Sequence, residues 1–386
     1  MAQASESFRS SLRSTGLRDD VQHKPAMNGS DVLLRRLRTQ RVACDEAQKF
    51  ASIPEAVRWM GAVQSQDYLA AKWAVGQRVR GCTDVAFDGA YSRGEILRTH
   101  VMRPTWHFVA PEDLRWMLAL TAPRVKALWS HYNRRHELDG PTFARCYAVI
   151  ERTLRNGNHA TRDELGEALA REKIGGGPER RGHILLGAEL EGIVCSGPLR
   201  GKSHTYALVE ERVPLRGRLP SREEALAELA RRFFVSHGPA TLKDYVWWSG
   251  LTVADGRASI EALTPALARE VVGEKTYFFE DRGRGRVRDD GAVHLLPNFD
   301  EYAVAYVDRE TLLDGRHRPK LGERGPLLFE NLVVRKGRVV GTWRRKLTKK
   351  TVSVTTALFV RPGSAERRAL AEAIGRYARF LGRDAV

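Results

Sequence analysis

The chain has 386 residues, 42% of them hydrophobic, and a formal charge of +17 with a pI near 10.0. That length exceeds one typical core and predicts about two to four domains, while the lack of any apolar run long enough to cross a bilayer predicts a soluble protein without a membrane partner. Arginine greatly outnumbers lysine, which favours planar bidentate contacts to phosphate and makes nucleic acid the leading partner; the alternative source of the charge is the codon bias of a GC-rich genome.

The four cysteines, Cys44, Cys82, Cys146 and Cys195, form no CxxC pair and have no histidine at ligand spacing. They signal neither a zinc site nor a disulfide framework and fit a reducing cytoplasm. His131 and His136 in "HYNRRH" lie on an arginine-rich, solvated helix without a carboxylate beside them, so no metal is expected there, and no cofactor motif appears elsewhere.

In chain order, residues 1–27 are polar and serine-rich with no apolar core, which predicts a disordered extension and not a secretory signal. The next unit, 28–125, reads as helices at "SIPEAVRWMGAVQSQ", "LAAKWAVGQRV" and "DVAFDGAYSRGEILRT" followed by a hairpin at "HVMRPTWHFV". The plan repeats over 126–215. "TFARCYAVIERTLRNG" has helical periodicity, Thr161 with Glu164 three residues on forms a capping box, "RRGHILLGAELEGIVCSG" is a second helix, and "GPLRGKSHTYALV" reads as a hairpin. A third copy, 216–289, begins at "SREEALAELARRFFVSHG" and ends in a strand at "KTYFFED", with "RGRGRVR" as its basic turn. Trp247 and Trp248 in this unit are expected in the core. Residues 290–386 turn strand-rich, carry the basic ribbon "WRRKLTKK" and close with the helix "AERRALAEAIGRYARFLG". The predicted class is α+β: three tandem winged-helix domains around a DNA-binding cleft plus a C-terminal β-rich domain.

Within "GAVQSQDYLAAKWAVGQR" two uncharged amides, Gln64 and Gln66, stand one residue apart. Read alone, they predict a helix end whose amides cap backbone groups. Asp67 beside them is a candidate base or a backbone acceptor. His107 in "RPTWHF" is expected near the cleft, and Asp300 and Glu301 in "PNFDEY" are paired acids that suit a domain-interface ion pair or catalytic support. For phosphate contact the candidates are Arg103 in the first hairpin, Arg284 and Arg286 in the "RGRGRVR" turn, and Arg344, Arg345, Lys346, Lys349 and Lys350 along the ribbon.

From about Leu33 to the C-terminus the sequence resembles the AlkZ-like bacterial DNA glycosylases. The resemblance is carried by "VQSQDYLAAKWAVGQR", "LRTHVMRPTWHFVAPEDLRWMLALTAPRV", "LLPNFDEYAVAYVDR" and "VVGTWRRKL". It implies an enzyme that removes N7-alkylated guanine, including bulky adducts and cross-links made by natural-product genotoxins, with a Gln-x-Gln motif that Gln64 and Gln66 match. The sister YcaQ-like branch has Asp at the second position, so Gln66 places this chain on the AlkZ-like side, whose members often provide self-resistance. The implied partner is double-stranded DNA carrying alkylated guanine. No heptad run signals a dimer, so a monomer is expected. Two other readings stay open on the residues: a non-catalytic winged-helix regulator, and a protein that sequesters a toxin without repairing DNA.

Overall fold

The computed structural model describes residues 27–386 apart from 216, 265, 282–290, 315 and 318–326. The extension expected over 1–27 therefore lies outside the described residues except for Met27, which is packed: it is buried against Tyr277 and Phe279, and its amide donates to the Glu270 carboxylate. A capping box between Asn28 and Asp31 starts α1 (Gly29–Thr39). After it come α2 (Ile53–Met60), β1 (Val63–Gln64), α3 (Tyr68–Gly76), α4 (Asp84–Arg93), β2 (Leu97–His100) and β3 (Trp106–Val109), with the strands forming an antiparallel sheet in the order β1-β3-β2. Here the expected helix end at the glutamines is corrected. Gly61, at φ +75°, terminates α2 before them, and Gln64 pairs in the sheet with His107.

The 25-residue helix α5 (Pro111–Arg135) leads into α6 (Gly140–Leu154), β4 (Ala160–Thr161), α7 (Arg162–Arg171), α8 (Pro178–Leu190), β5 (Val194–Ser196) and β6 (Thr205–Leu208), whose sheet order is β4-β6-β5. Thr161 and Glu164 make the reciprocal cap of α7 that their spacing predicts. A short α9 (Val209–Arg212) is followed by α10 (Arg222–His237), α11 (Leu242–Ser249), α12 (Val253–Ala262) and the two-stranded ribbon β7 (Leu267–Val272) and β8 (Lys275–Glu280). The third set contains a strand that the sequence did not signal. "KTYFFE" pairs with β7 through a turn at Gly273, φ +60°, and the basic turn expected at "RGRGRVR" lies outside the described residues. Residues 282–290, which include Arg284 and Arg286, lie outside the described residues.

The remainder is β9 (Val293–Leu296), α13 (Glu301–Val304), β10 (Leu332–Arg335), β11 (Arg338–Leu347), β12 (Thr351–Leu358), α14 (Ser364–Leu381) and β13 (Asp384–Ala385), in one five-stranded sheet ordered β13-β12-β11-β10-β9. Because successive side chains of a strand point to opposite faces, Leu332 and Val334 join Leu33, Leu37 and Tyr302 in one core, while Val333 joins Trp343, Tyr377, Phe380 and Trp73 in another. The sheet is thus covered on both sides, by α1 and α13 on one face and by α14 and α3 on the other. Among the described residues no helix is long and apolar enough to cross a membrane, and no group of three or more metal-ligating side chains is found.

Candidate active site

The strand that carries Gln64 is only two residues long and lies at a sheet edge, so its placement depends on what holds either side. On one side Ser65 N donates to Trp106 O at 2.7 Å, continuing the ladder to β3. On the other side, Gln64 N donates to Oε1 of Glu301 at 2.7 Å, from α13 far along the chain. The Gln64 side chain is buried, at 6% exposure, and its carbonyl Oε1 has no hydrogen-bond partner among the described residues. Leaving a buried acceptor unmade is costly, which makes this atom a functional candidate.

Gln66 is exposed, and its Oε1 accepts from Trp106 N at 3.4 Å. Between the two amides Arg98 closes the turn, its Nε and Nη2 donating to Ser65 O at 3.1 and 3.0 Å while its guanidinium lies 4.3 Å from the Trp106 ring. Gln66 opens onto a cleft of about 530 Å³ whose walls include His100 and Trp106 from the first sheet, Trp129 and Tyr132 from α5, and His183 from α8. The rings run in contact: His100 and Trp106 centroids are 4.6 Å apart, Trp129 and Tyr132 5.0 Å, Trp129 and His183 5.8 Å. Glu189, buried on α8, ties this wall together by accepting from His100 N at 2.8 Å and from Trp106 Nε1 at 3.4 Å.

Asp67 is the N-cap of α3: Oδ1 accepts from Ala70 N at 3.0 Å and Oδ2 from Asn298 Nδ2 at 3.3 Å. His107 is fully buried behind Gln64, with Nδ1 unpartnered among the described residues and Nε2 3.4 Å from Arg103 Nη2. Burial, helped by the Arg103 and His100 charges, holds its pKa well below the ordinary 6.5, so it stays neutral. Arg103, expected on phosphate, is half-buried; besides His107 it lies 6.0 Å from the Trp247 ring. Asp300 is fully buried, and both its oxygens are engaged by Arg78 at 2.8 and 2.9 Å. Trp248 is in the core as expected, but Trp247 is 43% exposed; its Nε1 reaches Val304 O at 2.8 Å. On the basic ribbon Arg344, Lys346, Lys349 and Lys350 are exposed, whereas Arg345 is half-buried and turns toward the Tyr377 ring at 6.0 Å.

Two features escaped the sequence. Glu301 reads there as half of an acid pair, yet it is the partner of the Gln64 backbone. The aromatic wall draws on α5 and α8, whose rings show no common spacing with the "QSQ" motif.

The model of a family described as DNA glycosylase AlkZ-like matches residues 57–380. An interstrand DNA cross-link repair glycosylase of Streptomyces sahachiroi is 24% identical over 308 residues, which is 76% of this chain and 82% of that protein. The solved structure of the Streptomyces sahachiroi DNA glycosylase AlkZ superposes with a TM-score of 0.76 at 21% identity, covering 94% of this chain and all of that one.

Proposed function

The chain belongs to the AlkZ-like DNA glycosylases, and from that premise we propose that it is a monofunctional enzyme hydrolysing the N-glycosidic bond of N7-alkylguanine in duplex DNA. The reading extends to bulky natural-product adducts and interstrand cross-links, and to self-resistance against the genotoxin that makes them. The observation that carries it is the buried Gln64 carbonyl, without a partner among the described residues, two residues from Gln66, which lines an aromatic-walled cleft.

An N7-alkylguanine is already cationic, so it leaves without an acid. As the bond from C1′ to N9 breaks, its electron pair neutralises the departing base and positive charge gathers on the sugar. A water oxygen then bonds to C1′ and its proton passes to solvent. The Gln64 and Gln66 carbonyls need only direct negative dipole density at that cation and accept a hydrogen bond from the water, which neutral amides do as well as a base could. The neutral His107 behind them adds no competing positive charge. The lysine nearest in sequence, Lys72, is not free to act as a nucleophile: it is buried and held by Asp84 at 2.7 Å and Asp88 at 2.9 Å.

Asp67 and Asp300 are given structural roles, as a helix cap and as the anion of a buried pair. The three helix-and-hairpin sets, over 28–125, 126–215 and 216–289, are read as winged helices lining the DNA path, and the ribbon in 290–386 as a phosphate contact. A regulator that merely binds operators would have no use for an unpaired buried amide.

The test is excision of N7-methylguanine and of a bulky N7 adduct from duplex DNA. Gln64→Ala and Gln66→Ala should each slow release by about 10² with unchanged folding and DNA affinity, whereas Gln66→Asp should keep activity on the small cationic base. The product should be an abasic site that breaks only on alkali, with no borohydride-trapped adduct. Wild-type rates in all three variants would reduce the glutamines to structural amides.

A further inference from the structure

We propose that Glu301 is a positioning residue for the reaction, holding the backbone of Gln64 from the C-terminal part of the chain so that the amide carbonyl stays fixed at the reacting sugar. The inference rests on the catalytic reading of Gln64 given above. Two N–H donors converge on this one carboxylate, Gln64 N on Oε1 at 2.7 Å and Trp248 Nε1 on Oε2 at 3.1 Å, and His237 Nε2 lies 3.4 Å from Oε2. Glu301 is 1% exposed, Trp248 and His237 are 0% exposed.

β1 needs such a hold. In an antiparallel pair, alternate N–H groups face the partner strand and the open edge. β1 is the edge of its sheet, so while Ser65 N reaches β3, Gln64 N faces outward with no strand to receive it. Glu301 supplies the acceptor. A hydrophobic side chain would fill the space without the desolvation penalty of a buried carboxylate, and the presence of the charge here is explained by the donor it must accept. Although burial raises the carboxyl, the close approach of His237, the Arg103 charge and the Gln64 hydrogen bond outweigh it and leave the group below its ordinary pKa, consistent with an anion at this position.

The anchor also joins the molecule's parts. α13 follows Asp300, whose pair with Arg78 locks it against the end of α3, and Trp248 lies on α11 of the third helical set. One carboxylate thus ties the active strand to two other units, and a shift of either is felt at Gln64.

Glutamine is the discriminating replacement. Its amide nitrogen must stand either at Oε1, facing the Gln64 N–H, or at Oε2, facing the Trp248 N–H, so one donor meets a donor. Glu301→Gln should slow single-turnover excision of N7-methylguanine about 10-fold to 100-fold, the loss expected when a catalytic group is misplaced by about an ångström. Substrate-DNA affinity should stay within about 2-fold, because no phosphate-binding group is altered. In a Gln64→Ala background the same change should add less than about 2-fold, since residues acting as one unit are non-additive. A wild-type rate for Glu301→Gln, a loss that multiplies with that of Gln64→Ala, or a loss that merely follows weakened DNA binding would each overturn the inference. If Gln64→Ala is itself at wild-type rate, both this and the proposed function fall. Should Glu301→Gln not fold, Trp248→Phe, which removes one donor and keeps the ring, should slow excision by about 3-fold or more, and a wild-type rate there would equally overturn it.

Discussion

His107 and His237 are buried imidazoles and His204 a half-buried one, all three kept neutral by the fold, and the direction of their titration makes a prediction at the scale of single residues. Burial pulls all three below the ordinary 6.5, His204 down to about 4 with the Arg98 charge assisting. Below pH 6.5 the unfolded chain takes up protons that the folded chain refuses, so the stabilisation is complete above that value and declines as pH falls toward the folded pKa. Carboxylates held below their ordinary pKa of 4.5, such as Glu228 and Glu301, contribute little between about pH 6.5 and 5. The first thermal unfolding transition should therefore drop by several degrees across that interval. In His204→Gln the drop should be shallower, because one of the refused protons is gone. A pH-independent transition in the wild type would mean that these imidazoles titrate freely in the fold.

At the scale of elements, the ribbon of β11 and β12 sorts its cations by strand alternation. Arg344 and Lys346 lie two apart on one face and are exposed with Lys349 and Lys350 at the turn, while Arg345 faces α14. Replacing the four exposed residues by alanine should lower the slope of log affinity against log salt by about 3 to 4, because each cation that no longer neutralises a phosphate leaves nearly one counterion condensed on the DNA. Arg345→Ala should leave that slope alone and act on stability, through its interaction with Tyr377. Filter binding or fluorescence anisotropy at several salt concentrations separates the two. The ribbon was legible in the sequence because alternation and charge coincide over ten residues, and α7 because Thr161 and Glu164 carry its cap. β1 was not: two residues cannot display a period, and "GAVQSQ" continues the polarity of the helix before it. β7 was missed for a related reason, since "LAREVV" shows no strict apolar–polar alternation while the glycine-rich "RGRGRVR" attracts the turn. Trp247 and Trp248 are adjacent and of one type; only the packing of α11 decides which is buried. Glu301 could not be linked to Gln64 from sequence, because the two are 237 residues apart and meet through a single hydrogen bond.

For the whole molecule, the arginine excess divides between interior and surface. Arg36 and Arg78 are 3% and 2% exposed, each paired with a buried aspartate, and Arg232 bonds the buried Asp113, so part of the composition that suggests DNA is used in joining helices. The paired side chains cancel, and the net +17 remains as a field that attracts duplex whatever base it carries. Such attraction is the same in the ground state and the transition state; it sets affinity and leaves the barrier of the bound complex unchanged. The groups proposed to act on the sugar are neutral amides beside a neutral imidazole, and the charges nearest them, on Arg98 and Glu301, are held in hydrogen bonds and at least half-buried, where added salt screens little. Binding and chemistry should then respond differently to ionic strength. With about six or more phosphates neutralised, affinity for duplex should fall by about 10³ between about 50 and 200 mM salt, while the single-turnover excision rate at saturating enzyme should change by less than about 3-fold. Titrating enzyme against labelled N7-alkylguanine duplex at each salt concentration yields both quantities from one set of curves. A saturated rate that declines in step with affinity would show that an ionised group, and not the amide pair, carries the transition-state stabilisation.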